Sequence, residues 1–231
     1  MQLIYLLIIF LTNIVQVISG FAGTMLAMPF SVRIIGFEQS RFILNLLGLL
    51  ASIYIVINNI RNVDFKKTIK IIVIMFLGII VSRFLNKNIQ FDILMKLYGL
   101  LIIGVAIYQF VGKDININNF QGILILFISG VIHGLFVSGG ALLVIYASNV
   151  FKSKDEFRSN LSLVWVFLNT ILLISMIQEN IIIDYGLTLK SIIAMIIAFV
   201  VGNWILPKID LKLFKKIANV LLLITGLSIL L

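Results

Sequence analysis

Apolar runs of roughly twenty residues recur from Leu3 to the last residue, and the links between them are too short to fold alone: RNVDFKK at 61–67, GKDININN at 112–119, QENIIIDYG at 178–186 and KIDLKLFKK at 208–216. About 20 apolar residues are what a helix needs to cross roughly 30 Å of hydrocarbon. The chain therefore reads as one all-α, polytopic membrane domain, 1–231, with about eight transmembrane helices beginning near residues 3, 41, 68, 93, 120, 157, 187 and 213. Only 12% of its residues are charged, about half of what a soluble surface carries. The opening MQLIYLLIIFLTNIV has no basic stretch and no small-residue cleavage site, so it is expected to stay as the first helix. The formal charge of +9 falls mostly between the apolar runs, where it orients the chain and meets lipid head groups; nucleic acid is not an expected partner.

Two spans are too long. The first runs from Leu3 to Gly36 and the fifth from Phe120 to Val150, so each would measure roughly 45 to 50 Å as a straight helix. Each also holds a cluster of residues that weaken helix: SGFAGTMLAMPF, with Gly20, Gly23 and Pro29, and HGLFVSGGALL, with Gly134, Gly139 and Gly140. Both helices are expected to break at these clusters.

The halves also resemble each other. Gly23 and Gly139 are 116 residues apart, and RFILNL from Arg41 matches RSNLSL from Arg158 as Arg, three residues, a small polar residue and Leu. Two four-helix repeats follow, about 1–112 and about 119–231. With eight spans, the loops after the odd-numbered ones hold roughly twelve Lys and Arg against roughly six on the other side, which places both termini outside the cytoplasm of a multi-pass cell-membrane protein. The charge pattern favours repeats of one orientation. Arg61, Lys66, Lys67 and Lys70 fall on the wrong side of that arrangement, and broken segments that crossed twice would invert the repeats instead.

The nine carboxylates, from Glu38 to Asp210, all lie in or beside loops, and the chain has no cysteine and one histidine. That speaks against cation transport, metal binding, any cofactor and a hydrolase triad. A helix restarting inside the membrane, by contrast, has N–H groups with no partner and a positive dipole end, which suits an anion. The candidate binding residues are Gly20, Gly23, Thr24, His133, Gly134, Ser138, Gly139 and Gly140 at the two breaks, with Asn45 and Ser162, and also Ser52 and Asn169, on the spans that follow, where these four either line the pocket or hydrogen-bond between helices. Segments 20–29 and 133–142 are expected to face each other around the anion. A plainer reading stands beside this: Gly130, Gly134 and Ser138 are spaced by four, as are Ser19, Gly23 and Ala27, and small residues at that spacing let membrane helices pack closely. His133 alone fits a packed, hydrogen-bonded side chain as well as a ligand contact. Arg41 and Arg158 fit helix anchors at the interface, or guides for an anion.

The SGFAGTMLAMPF and HGLFVSGGALLVIYAS segments, within about eight spans, resemble the sulfite exporter TauE/SafE family of membrane transporters, in which each repeat opens with a glycine-rich helix often ending in proline. The first segment has Ala22 and Thr24 where a fuller glycine run would stand, and the second has Ile145 and Tyr146 near the place of the proline. The resemblance implies a secondary transporter that moves a small anion such as sulfite, a sulfonate or a carboxylate by alternating access, working as a monomer or a homodimer. Two other readings remain: a membrane-embedded enzyme acting on a lipid-linked anion, with His133 as acid/base and Ser138 as nucleophile, and a passive anion channel.

Overall fold

The computed structural model describes residues 1–88, 91–111, 117–151, 153–179 and 181–205, with isolated positions beyond. Regular structure among them is helical: α1 (Gln2–Ser19), α2 (Ala22–Ile35), α3 (Phe37–Asn59) with a 3-10 turn after it (Ile60–Asn62), α4 (Phe65–Asn88), α5 (Phe91–Val111), α6 (Asn119–Phe136), α7 (Gly140–Val150), α8 (Lys154–Gln178) and α9 (Tyr185–Ile205). Six of these, α1, α3, α4, α6, α8 and α9, are long and apolar enough to cross a membrane. The eighth expected span, beginning near residue 213, lies outside the described residues but for isolated positions, and so does the basic run Lys212, Lys215 and Lys216.

Both over-long spans are broken, and each folds back on itself. Gly122 and Tyr146 would be about 36 Å apart on one straight helix, yet a Cβ on Gly122 would sit 2.8 Å from Tyr146 Cε2. Likewise a Cβ on Gly23 would sit 2.6 Å from Gln16 Cβ and 2.8 Å from the Thr12 carbonyl oxygen. α1 with α2, and α6 with α7, are therefore helical hairpins. The first reversal is at Gly20, whose φ of 82° is open to glycine at no steric cost and whose N–H closes α1 on the Gln16 carbonyl. The second is at Val137, the one non-glycine residue with positive φ among those described, at 54°. A β-branched residue rarely takes this conformation, and the tertiary structure must hold it there. Pro29, expected at the first break, lies inside α2, and the helix continues through it.

Directions follow from which residues meet. Asn160, near the start of α8, donates from Nδ2 to the Asn62 carbonyl at the end of α3, while Asn45 in the first half of α3 donates to the Asn169 carbonyl in the middle of α8. As numbers fall along α3 they rise along α8, so the two run antiparallel. They carry RFILNL and RSNLSL, and their course is opposite to the one orientation that the charge pattern favours. α4 and α6 run side by side in one direction, because Met75 packs on Gly130 and Ser82 on Gly134. α1 and α9 do the same: Lys190 reaches Gln2, and Val17 packs on Gly202. α4 and α9 also begin alike, Asp64–Phe65 to Thr68–Ile69–Lys70 against Asp184–Tyr185 to Thr188–Leu189–Lys190. Both aspartates cap their helices by accepting the N–H three residues on.

α3 and α8 are the central pair, with 72% and 61% of their apolar windows buried against 33% for α4 and 39% for α9. The outer helices turn Leu3, Leu7, Val73, Phe84, Val200 and similar side chains outward, a surface that hydrocarbon would cover.

Candidate functional site

A narrow cavity lies where the two hairpin turns meet the central pair. The first half lines it with Gln16 from the end of α1, Phe21 at the first break, Thr24 from the start of α2 and Gly48 from α3. The second half lines it with His133 from the end of α6, Val137 at the second break, Gly140 from the start of α7, and Trp165 and Asn169 from α8. The turns touch directly, since a Cβ on Gly140 would sit 3.2 Å from the Phe21 ring and 3.3 Å from its carbonyl oxygen. The central pair contributes Gly48 from α3 and Trp165 and Asn169 from α8, which share a helix face with Arg41, Asn45 and Ser52 and with Arg158 and Ser162, both sets spaced 4, 3, 4.

Of the twelve candidate residues, Thr24, His133, Gly140 and Asn169 line the cavity. The other eight are not among its lining residues. Gly20 packs on Arg158, and a Cβ there would be 3.0 Å from Arg158 Cγ. Gly23 lets α2 close on α1 and donates its N–H to Gln16 Oε1 at 2.8 Å. Gly134 sits against Ser82, which bears out the packing reading for it and for Gly130, whose Cα lies against Met75 backbone. Gly139 lies against Ser129 and His133, and its carbonyl accepts from Ser129 Oγ at 2.6 Å. The Ser138 hydroxyl is taken by Tyr98 of α5, whose ring stacks on Phe136. Asn45 bonds across to the Asn169 carbonyl, while Ser162 is buried with its hydroxyl unpartnered.

The two breaks differ in their main-chain donors. At the first, Ser19 Oγ accepts from the N–H groups of Phe21 and Ala22, and Gln16 accepts from Gly23, so these amides are already satisfied. The expectation of free amides fails there because a serine and a glutamine one turn upstream reach over the break. At the second, α7 begins at Gly140 behind Gly139, which has no side chain to cap it, and the positive end of its dipole faces the cavity.

His133 Nε2 lies 2.9 Å from Asn169 Oδ1, and its ring lies 4.7 Å from that of Trp165 at 33°. His133 Nδ1 and Trp165 Nε1 are buried without a hydrogen-bond partner. Leaving such groups unmet costs roughly 1–3 kcal/mol each, which structures seldom accept without a use. Sequence reasoning passed over Gln16, Phe21, Gly48, Val137 and Trp165. The spacing that found Asn45 and Ser162 would have reached Gly48 and Trp165 had it been carried one turn further.

Arg41 and Arg158 are 6% and 8% exposed, at the starts of antiparallel helices, so they flank the cavity from opposite ends of the central pair. Arg41 Nη2 donates to the Gly134 carbonyl at 3.2 Å, across to the other half's hairpin. Arg158 lays its stem on Gly20, again across to the other half. The ion partner that Arg41 has is Glu38, 3.9 Å away and half-exposed.

The sequence profile of the family described as Sulfite exporter TauE/SafE matches residues 5–229. No curated protein and no solved structure matches the chain.

Proposed function

Since the chain belongs to the sulfite exporter TauE/SafE family, whose members are membrane transporters and not enzymes, we propose that it carries a small anion across the cell membrane by alternating access, holding the anion between the two hairpin turns. The cavity is the observation that carries this reading. Both turns, the amino end of α7 and the polar faces of α3 and α8 converge on it, as expected of a carrier whose irregular backbone lines a cavity at depth.

The charge balance favours an anion. No carboxylate lines the cavity among the described residues, while two buried arginines stand at opposite ends of the central pair. The antiparallel central pair supports inverted repeats, the first comprising α1 to α5 and the second beginning at α6. Such repeats exchange their roles when the site changes sides, and Arg41 and Arg158 then mark the two mouths. In this arrangement Arg61, Lys66, Lys67, Lys70 and Lys154 share one face, which removes the conflict that one orientation leaves. The positive-inside rule makes that face cytoplasmic and puts the N-terminus outside.

The test is uptake of labelled sulfite, sulfoacetate and lactate into liposomes holding the purified protein. Saturable flux is expected for at least one. Gly140→Leu, which pushes a side chain into Phe21, should lower it at least tenfold, whereas Gly104→Leu, with nothing within 4 Å of a new Cβ, should leave it unchanged. Flux that never saturates would make the protein a channel, and equal flux in both variants would move the site elsewhere.

A further inference from the structure

Two of the rings that line the cavity, His133 and Trp165, each carry a buried nitrogen without a partner, and the two nitrogens differ in kind. Trp165 Nε1 carries a hydrogen and can only donate. His133 contacts Asn169 Oδ1 through Nε2, and since that oxygen can only accept, the neutral ring carries its hydrogen on Nε2 and offers a lone pair at Nδ1. The two residues are 4% and 2% exposed, and neither free nitrogen meets a protein group. A donor and an acceptor thus stand on neighbouring rings of one cavity, beside the positive end of α7.

The surroundings hold the imidazole in this form. Asn169 and Trp165 from α8 meet the ring, and Gln16 from α1, Thr24 from α2, Gly48 from α3 and Gly140 from α7 share the cavity with it; none of these titrates. The nearby cation, Arg41, is engaged by the Gly134 carbonyl, and the Tyr98 hydroxyl by Ser138.

Resting on the carrier reading, we propose that the cavity selects an oxyanion that still bears a proton. One ligand oxygen accepts from Trp165 Nε1–H, the ligand's own O–H donates to His133 Nδ1, and the negative charge lies at the amino end of α7. A fully deprotonated oxyanion would set a lone pair against the lone pair of Nδ1, and repel it. The proton travels with the anion, and no side chain has to titrate.

The experiment is equilibrium binding to the purified full chain in detergent, with sulfite, which holds a proton at about pH 6 and has lost it by about pH 8, and with methanesulfonate, which holds none at either. Affinity for total sulfite should fall about tenfold between these values, and methanesulfonate should bind more weakly than sulfite at about pH 6. Trp165→Phe should weaken sulfite about tenfold and keep the pH dependence. His133→Phe should remove the dependence; if it does not fold, the wild-type comparison decides alone. Methanesulfonate binding as tightly as sulfite, or sulfite binding better at about pH 8, would overturn the proposal and leave the carrier reading standing. A wild-type protein that neither binds nor moves any of these anions would overturn both.

Discussion

Arg41 and Arg158 show how much a single residue can do in a medium where charge is costly. Each lies near the start of a central helix, each is buried, and each reaches across to the hairpin of the other half. Removing one leaves an orphan contact on the far hairpin and, on the proposed carrier reading, takes away part of the positive field that would draw an anion in. Arg41→Gln should raise the half-saturating anion concentration about tenfold, or ~1.4 kcal/mol, with the larger loss at low salt, where charge is least screened. Flux measured against anion concentration at two ionic strengths checks this; a maximal rate that falls while half-saturation stays put would assign Arg41 to structure alone. Much at this scale was legible: the paired arginines, the lone histidine and the small polar residues after them all stand out against isoleucine and leucine. The choice among the glycines was not. Gly134 and Gly140 look alike in sequence, and only the neighbour each meets, Ser82 on α4 or Phe21 across the cavity, separates packing from lining.

Elements were readable where length or polarity forces the outcome. An apolar run of more than thirty residues cannot span the bilayer straight, so both breaks could be anticipated, and so could the helices between basic links. The sharpness of the breaks could not, because a reversal depends on what the second limb packs against. Pro29 sits in a helix that tolerates it, while Val137 turns a chain that its own preferences would keep extended or helical. Caps were also missed. Asp64 accepts the Lys67 N–H at 3.1 Å and pairs with its ammonium at 3.0 Å, and these bonds, the backbone one foremost, hold its carboxyl below the usual carboxylate range. A depressed folded-state pKa contributes stability that is present above the unfolded value and lost as pH falls through the folded one. Thermal unfolding in detergent should therefore show a step down on acidification below about pH 4 that Asp64→Asn flattens. An unchanged acid limb in that variant would mean that the cap does not hold α4.

At the scale of the whole molecule, two hairpins close on one cavity between antiparallel core helices, and the proposed function places an anion there. The likeness of the halves shows in the sequence only in fragments such as RFILNL with RSNLSL, and charge counting could not give their relative sense, because it depends on knowing how often each broken span crosses. The chain offers a direct probe. It has two tryptophans, one lining the cavity and the other, Trp204, 67% exposed on the outer surface of α9. In Trp204→Phe the remaining emission comes from Trp165 alone. Titrating that protein with a transported anion should give a saturable change in emission at the concentrations that half-saturate flux. Undiminished flux with no response from Trp165 would show that the anion passes somewhere other than between the hairpins.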